Sequence, residues 1–331
     1  SSLCQIYTYI SSLDKMEANS KDSNSTVSEQ YVTGDSRQAK RRQIHLWKKF
    51  KEEKLFAFGC IILFTSLFLA VFGPIISPYN PNEATGNVSV APPVIWEWPN
   101  LFVQTVFNGA DPPHWFGTDN SGLDVFSRTI SAPRTDMVIA LLAALASMFL
   151  GTVLGLVAGF YKNLGTEILM RISDLLQAFP VFITAMILVA LSGRNEFNII
   201  LALSLVYTPI FIRLTRAEVL GQISRGYVEA ARAVGNPQWK VAFKHVLPNS
   251  IVPSLIQLST TVGFAVLLTS GLSFVGAGVR PPTPEWGLMI ALGAPQILLG
   301  EWWQSIFPGV AISLTIFGYA AVGHGLEEDY R

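Results

Sequence analysis

Charge is scarce in this chain of 331 residues. Only 14% are Asp, Glu, Lys or Arg, against 50% hydrophobic residues, and the net charge is zero. Soluble domains carry about 25% charge, so the deficit points to lipid as the solvent of much of the chain, and the positive mean hydropathy agrees. Cysteine is nearly absent. Cys4 sits in a polar tail and Cys60 in an apolar run, which excludes a disulfide framework. The four histidines (His45, His114, His245, His324) are scattered without metal-ligand spacing. No G-x-x-x-x-G-K-[ST] phosphate loop occurs, and no nucleophile–base–acid set stands out. The chain is therefore not expected to be an enzyme or to bind a cofactor or metal. No nucleic-acid partner is expected, although the net charge itself is uninformative because the basic residues are concentrated locally. No internal repeat of fixed period is visible.

What the chain has is long apolar runs. Residues 1–35 are rich in Ser, Asn, Asp, Thr and Glu and read as a disordered tail. Met16 inside it is expected to be the natural start. A basic segment follows at 36–54. Leu55–Ser77 then gives 23 residues without a charge, where roughly 20 span a bilayer. Further spans are expected at 137–161, 172–191, 197–212, 251–276 and 305–322. The fold class is thus an all-α membrane protein with six transmembrane helices, residues 137–331 forming the core that holds the last five. Pro180 and Pro209 predict kinks in the third and fourth spans.

Basic residues set the orientation. Arg37, Lys40, Arg41, Arg42, Lys48, Lys49, Lys51 and Lys54 crowd the segment before the first span, whereas the long 78–136 loop holds only Arg128 and Arg134. Arg213, Arg216, Arg225, Arg232, Lys240 and Lys244 fall in the 213–250 loop. Both termini and the 213–250 loop are therefore expected in the cytoplasm, and the 78–136 loop outside it. The central parts of the first, second, fifth and sixth spans hold no charge, which weighs against a stand-alone secondary transporter or channel.

The 213–250 loop has internal order. A helix-favouring run ends at Gly235, suited to positive φ at a helix C-terminus. Asn236 is expected to cap a second helix, with Pro237 in its first turn and Pro248 ending it. Tyr227, Ala230, Ala231 and Val234 form one apolar stripe; Trp239, Phe243 and Val246 form another. The loop is either an amphipathic hairpin lying on lipid or a knob for a cytoplasmic partner. Trp239 and Phe243 are expected to meet that partner or the ends of the membrane helices. Gly151, Gly155 and Gly159 make a GxxxGxxxG row, for packing within the chain or between subunits. Glu167, Arg171 and Asp174 mark a charged boundary. Arg213 and Arg216 either snorkel to phosphates or, with Asp174, brace the loop. Asp119 and Asp124 in GTDNSGLD lack the rest of a calcium loop and read as a turn.

The loop segment EAARAVGNPQWKVAFKHVLPN (229–249) resembles the EAA loop of bacterial ABC importer permeases through Glu229, Ala230, Ala231, Gly235, Leu247 and Pro248. HWFGTDNSGLD (114–124) is similar to the HxLGTDxxGRD stretch of peptide permeases. DLLQAFP (174–180), LSFVGAGVRPPTPEWG (272–287), Pro308-Gly309 and the Gly323–Leu326 tail resemble further motifs of that group, over roughly residues 45–331. Leu123 departs from the usual Arg, His324 and Glu327 from the usual Asp and Arg, and Thr269-Ser270-Gly271 lacks an expected acid. The resemblance is to the dipeptide/oligopeptide/nickel group, of the oligopeptide permease C-subunit type. It implies a subunit of the bacterial inner membrane that carries di- or oligopeptides, or alternatively nickel, glutathione or opines. It implies a second, homologous permease, two ATP-binding subunits holding ATP and Mg, and an external solute-binding protein. It also implies an ATPase-docking role for 227–247, with Tyr227, Glu229, Ala230, Ala231, Arg232, Gly235, Asn236, Pro237, Trp239, Phe243 and Pro248 carrying it.

Overall fold

The computed structural model describes residues 53–108 and 111–330. The chain divides into two compact units, 1–57 and 58–331. The tail call at 1–35 and nearly all of the basic-segment call at 36–54 lie outside the described residues.

Those residues are helical, with no strand among them and one isolated bridge between Thr118 and Asp124. We number the helices α1 (Lys54–Ile76), α2 (Trp98–Asn108), α3 (Val125–Phe160), α4 (Leu164–Ala178), α5 (Val181–Ser192), α6 (Glu196–Ile223), α7 (Gly226–Ala233), α8 (Gln238–Lys240), α9 (Leu247–Ser250), α10 (Val252–Phe274), α11 (Trp286–Gly293) and α12 (Trp303–Tyr330). Five of them (α1, α3, α6, α10 and α12) are long and apolar enough to cross a membrane; the bent pair α4–α5 makes a sixth if it is one span.

The expected third span, 172–191, is not one straight helix. Asn163 and Thr166 form a reciprocal capping box that starts α4 at Leu164, and the chain turns by 98° between α4 and α5. Pro180 causes the break. It has no N–H to continue the ladder, and it forces Phe179 into extended backbone (φ −91°, ψ 147°). Pro209, by contrast, sits inside the continuous helix α6.

Two other boundaries move. Helix α3 begins at Val125 rather than 137 because Asp124 caps it, Oδ2 accepting from Ser127 N at 2.8 Å. Arg128, Arg134 and Asp136, expected in the 78–136 loop, are thus helical, and Asp136 is fully buried. Helix α6 runs on to Ile223, so Arg213 and Arg216 lie in it and not in a loop.

The main packing is α3 against α6, and the glycine row makes it close. A Cβ on Gly151 would lie 2.4 Å from Phe211 Cβ, one on Gly155 2.6 Å from the Ile212 carbonyl oxygen, and one on Gly159 2.7 Å from Val219 Cγ1. All three neighbours are on α6 of the same chain, so the row serves packing within it. Helices α10, α11 and α12 complete the core around Ile139, Leu203, Val266, Leu272 and Trp286.

At the Val125 end of α3, loop segments are tied down by polar groups. Arg128 is 1% exposed, and its Nη1 donates to the carbonyls of Pro81 and Pro282, both at 2.9 Å. Trp303 Nε1 donates to Thr118 O at 3.0 Å, and Trp286 Nε1 to Thr129 O at 3.0 Å. Glu285 caps α11, accepting from Gly287 N and Leu288 N. Both loop aspartates are spent locally. Asp124 also meets His114 Nδ1 at 2.8 Å, and Asp119 Oδ1 accepts from Ser121 N and Leu123 N.

Candidate functional site

The segment 226–250 lies at the Phe160 end of α3 and has two faces. Its inner face is aliphatic. Val228, Val241, Ala242 and Val246 are buried with Leu156 and Phe160 of α3 and Val219 of α6. Ala231 and Leu247 pack against this cluster, and the Arg232 guanidinium lies 5.6 Å from the centre of the Phe160 ring. Its outer face is apolar and open: Val234 is 84% exposed, Trp239 63% and Phe243 45%.

The expected stripes are therefore corrected in register. Of Tyr227, Ala230, Ala231 and Val234, only Ala231 packs inward, beside Val228; of Trp239, Phe243 and Val246, only Val246 is buried. A π-helical stretch, Val241–Val246, separates α8 from α9. Its extra residue per turn shifts the phase, so a 3.6-residue period misassigns the inner face. Val241 and Ala242 were missed for that reason; Val228 lies in the ordinary helix α7, where the inward face is simply one residue off the expected stripe. The legible signal was the small and β-branched VA pair inside a basic stretch.

The corner between the helices is closed by backbone. Gly235 adopts φ +85°. Its N–H donates to Arg232 O at 2.9 Å, and Asn236 N reaches Ala231 O at 3.4 Å, the paired bonds of a Schellman ending. Asn236 Nδ2 also donates to Ala231 O at 3.0 Å. Asn236 thus finishes α7 instead of capping the next helix, because its polar groups are already committed backward. Pro237 precedes α8, and Lys240 N and Val241 N both donate to its carbonyl. Pro248 does not end the helix. It stands in the first turn of α9, where a missing N–H costs nothing, and the chain continues into α10.

The two feet of the segment are joined. Tyr227 OH donates to Gln222 Oε1 at 2.9 Å. Desolvation raises the Tyr227 phenol above its ordinary value, against the opposing pulls of Arg225 and of a hydrogen bond with Asn249. Thr215 and Ser254 hydroxyls meet at 3.0 Å between α6 and α10. Glu229 stands exposed in the first turn of α7, where a carboxylate suits the helix dipole. Arg213 does not reach the segment. Its Nη2 pairs with Asp174 Oδ1 of α4 at 3.0 Å, and Arg216 has its Nε buried without a hydrogen-bond partner. No group of three or more His, Cys, Asp or Glu among the described residues is placed to hold a metal.

Residues 151–327, the part of the chain from the glycine row through α12, match the family described as binding-protein-dependent transport system inner membrane component. The chain belongs to that family. As a member of this permease family it is a multi-pass protein of the bacterial inner membrane and a subunit without catalytic machinery of its own. Residues 44–93 match the N-terminal transmembrane domain of oligopeptide transport permease C. Among relatives, the chain is 36% identical over 282 residues to the dipeptide transport system permease protein of Escherichia coli K12, covering 85% of this permease and 90% of that one. It is 33% identical to the di/tripeptide transport system permease protein of Pseudomonas aeruginosa, over 85% and 89% of the two chains. It is 35% identical to the glutathione transport system permease protein of Pectobacterium atrosepticum, over 66% and 73%.

Proposed function

We propose that this permease forms half of the membrane pathway of an ATP-driven importer of di- or oligopeptides. It pairs there with a homologous permease, and a separate pair of ATPases drives it through segment 226–250. In this reading α4–α5 counts as one span, giving six. The termini and segment 226–250 face the cytoplasm. ATP and Mg are held by the ATPases, and an external solute-binding protein meets the loops at the Val125 end. The peptide cargo is supported by the names of the relatives; glutathione, itself a peptide, falls in the same class.

One observation carries the coupling role. Segment 226–250 is anchored through a dry aliphatic face to the ends of α3 and α6, while Trp239, Phe243 and Val234 remain bare on the other side. An exposed aromatic face on a firmly seated base suits docking, since buried aromatics dominate interface energies. A push on that face is passed to the helix ends, because the inner face leaves no slack.

The test is co-purification and uptake. In proteoliposomes containing permeases, ATPases and binding protein, labelled dipeptide should accumulate only with ATP. The double variant Trp239→Ala, Phe243→Ala should insert normally yet lose most of its bound ATPase, at about 2 kcal/mol or more per aromatic. ATP-independent uptake, or full ATPase retention by the double variant, would overturn the reading.

A further inference from the structure

Residues of α4, α5, α6 and α10 line a wide-mouthed cavity of about 590 Å³ beside the bend at Pro180. That volume lies within the range of small-ligand sites, about 300–1,000 Å³. Its walls are largely apolar, through residues such as Val206, Ile210 and Leu214, and three polar side chains enter them: Gln177, Arg213 and Gln257. One turn before Gln177, Asp174 holds Arg213 at 3.0 Å. Both partners of this ion pair are about half exposed, 58% for the Arg213 side chain and 48% for Asp174.

Charges on spanning helices are costly against lipid and normally face water or protein. Arg213 is part of the cavity wall and Asp174, though not a wall residue, is held against it; so exposed a pair contributes little to stability as a brace between α4 and α6. Resting on the peptide reading above, we propose that this cavity is a binding site for a short peptide as its free zwitterion. Arg213 receives the C-terminal carboxylate in charge-assisted hydrogen bonds, and Asp174 receives the α-ammonium group. Gln177 and Gln257 supply amide donors and acceptors for the peptide bond. The apolar walls take side chains of varied shape.

The electrostatics suit a carrier. An entering zwitterion exchanges one ion pair for two, so neither protein charge is left desolvated and alone. When the peptide leaves, Arg213 and Asp174 close on each other again. An extended dipeptide measures roughly 7 Å from end to end, at about 3.5 Å per residue, so the two side chains must part by that distance. Blocking either terminus leaves one of them without a partner.

The experiment uses the assembled permease–ATPase complex in nanodiscs without binding protein or nucleotide, probed with alanyl-photoleucine. Labelling should fall on α4, α5, α6 or α10, and free Ala-Leu should compete. N-acetyl-Ala-Leu-amide should not compete. Arg213→Gln and Asp174→Asn should each weaken labelling about tenfold, the worth of a hydrogen bond to a charged group. Equal competition by the capped peptide on the unaltered complex, or labelling unmoved by both substitutions, would assign the pair to bracing alone. The parent reading is separable. If the unaltered system with binding protein and ATP accumulates no dipeptide, the peptide assignment fails and this site with it. If it accumulates dipeptide while labelling ignores terminal charge, only this site fails.

Discussion

At its Val125 end helix α3 is surrounded by polar ties that reach across long stretches of chain: Arg128 to two proline carbonyls, Trp303 to Thr118, Trp286 to Thr129. At its Phe160 end the neighbouring segment is held almost wholly by aliphatic contact and leaves its aromatics bare. The contrast teaches what each end is built for. Directional hydrogen bonds fix irregular loops that have no helix ladder of their own. An aliphatic seat with an open outer face is what the docking role proposed above requires.

The strongest way to break this comparison is to sever what joins the two ends. Gly155→Leu would push a side chain into the Ile212 backbone of α6. We expect a cost above about 3 kcal/mol and loss of a monodisperse species on size exclusion. Gly221→Leu, with open space around it, should leave that peak intact. Next, Val228→Asp places a charge in the dry inner face. We expect a loss of several kcal/mol there, seen as faster hydrogen exchange over 226–250 while 114–128 keeps its protection. Equal loosening at both ends would show that they are not independent. Gly235→Val is smaller. The site is sterically open, so the cost is the positive φ alone, about 1–3 kcal/mol, and ATP hydrolysis should run ahead of uptake. Gly235→Asn, which tolerates that backbone, should stay coupled. Comparable is Asp124→Ala, which removes both the cap on Ser127 N and the buried partner of His114, at about 1–3 kcal/mol together. It should lower the melting temperature and leave ATPase association unchanged.

Much of this arrangement was legible in the sequence. Apolar runs located the helices, because lipid demands uninterrupted stretches, and Gly235 announced its corner, because few other residues accept that backbone. The helix ends were not legible. Asp124 starts α3 within a loop-like stretch, and polar α6 continues past Arg213 because its last turns pack on α3 rather than on lipid. The inner face at Val241 and Ala242 was hidden by a π-helical phase shift that no fixed period describes. The burial of Asp136 and Glu285 depends on α11 folding back against α3, a contact between residues far apart in the chain.

From Pro133 to Phe160, helix α3 runs without another proline, a distance of about 40 Å at 1.5 Å per residue. Geometry then sets an amplification. A tilt of about 10° at the Phe160 end sweeps the other end sideways by about 7 Å over that length. That is the end where Arg128 and Trp286 tie the loops to the helix, so a rigid tilt would carry those loops with it. A swing of that size is comparable to the length of an extended dipeptide, about 7 Å.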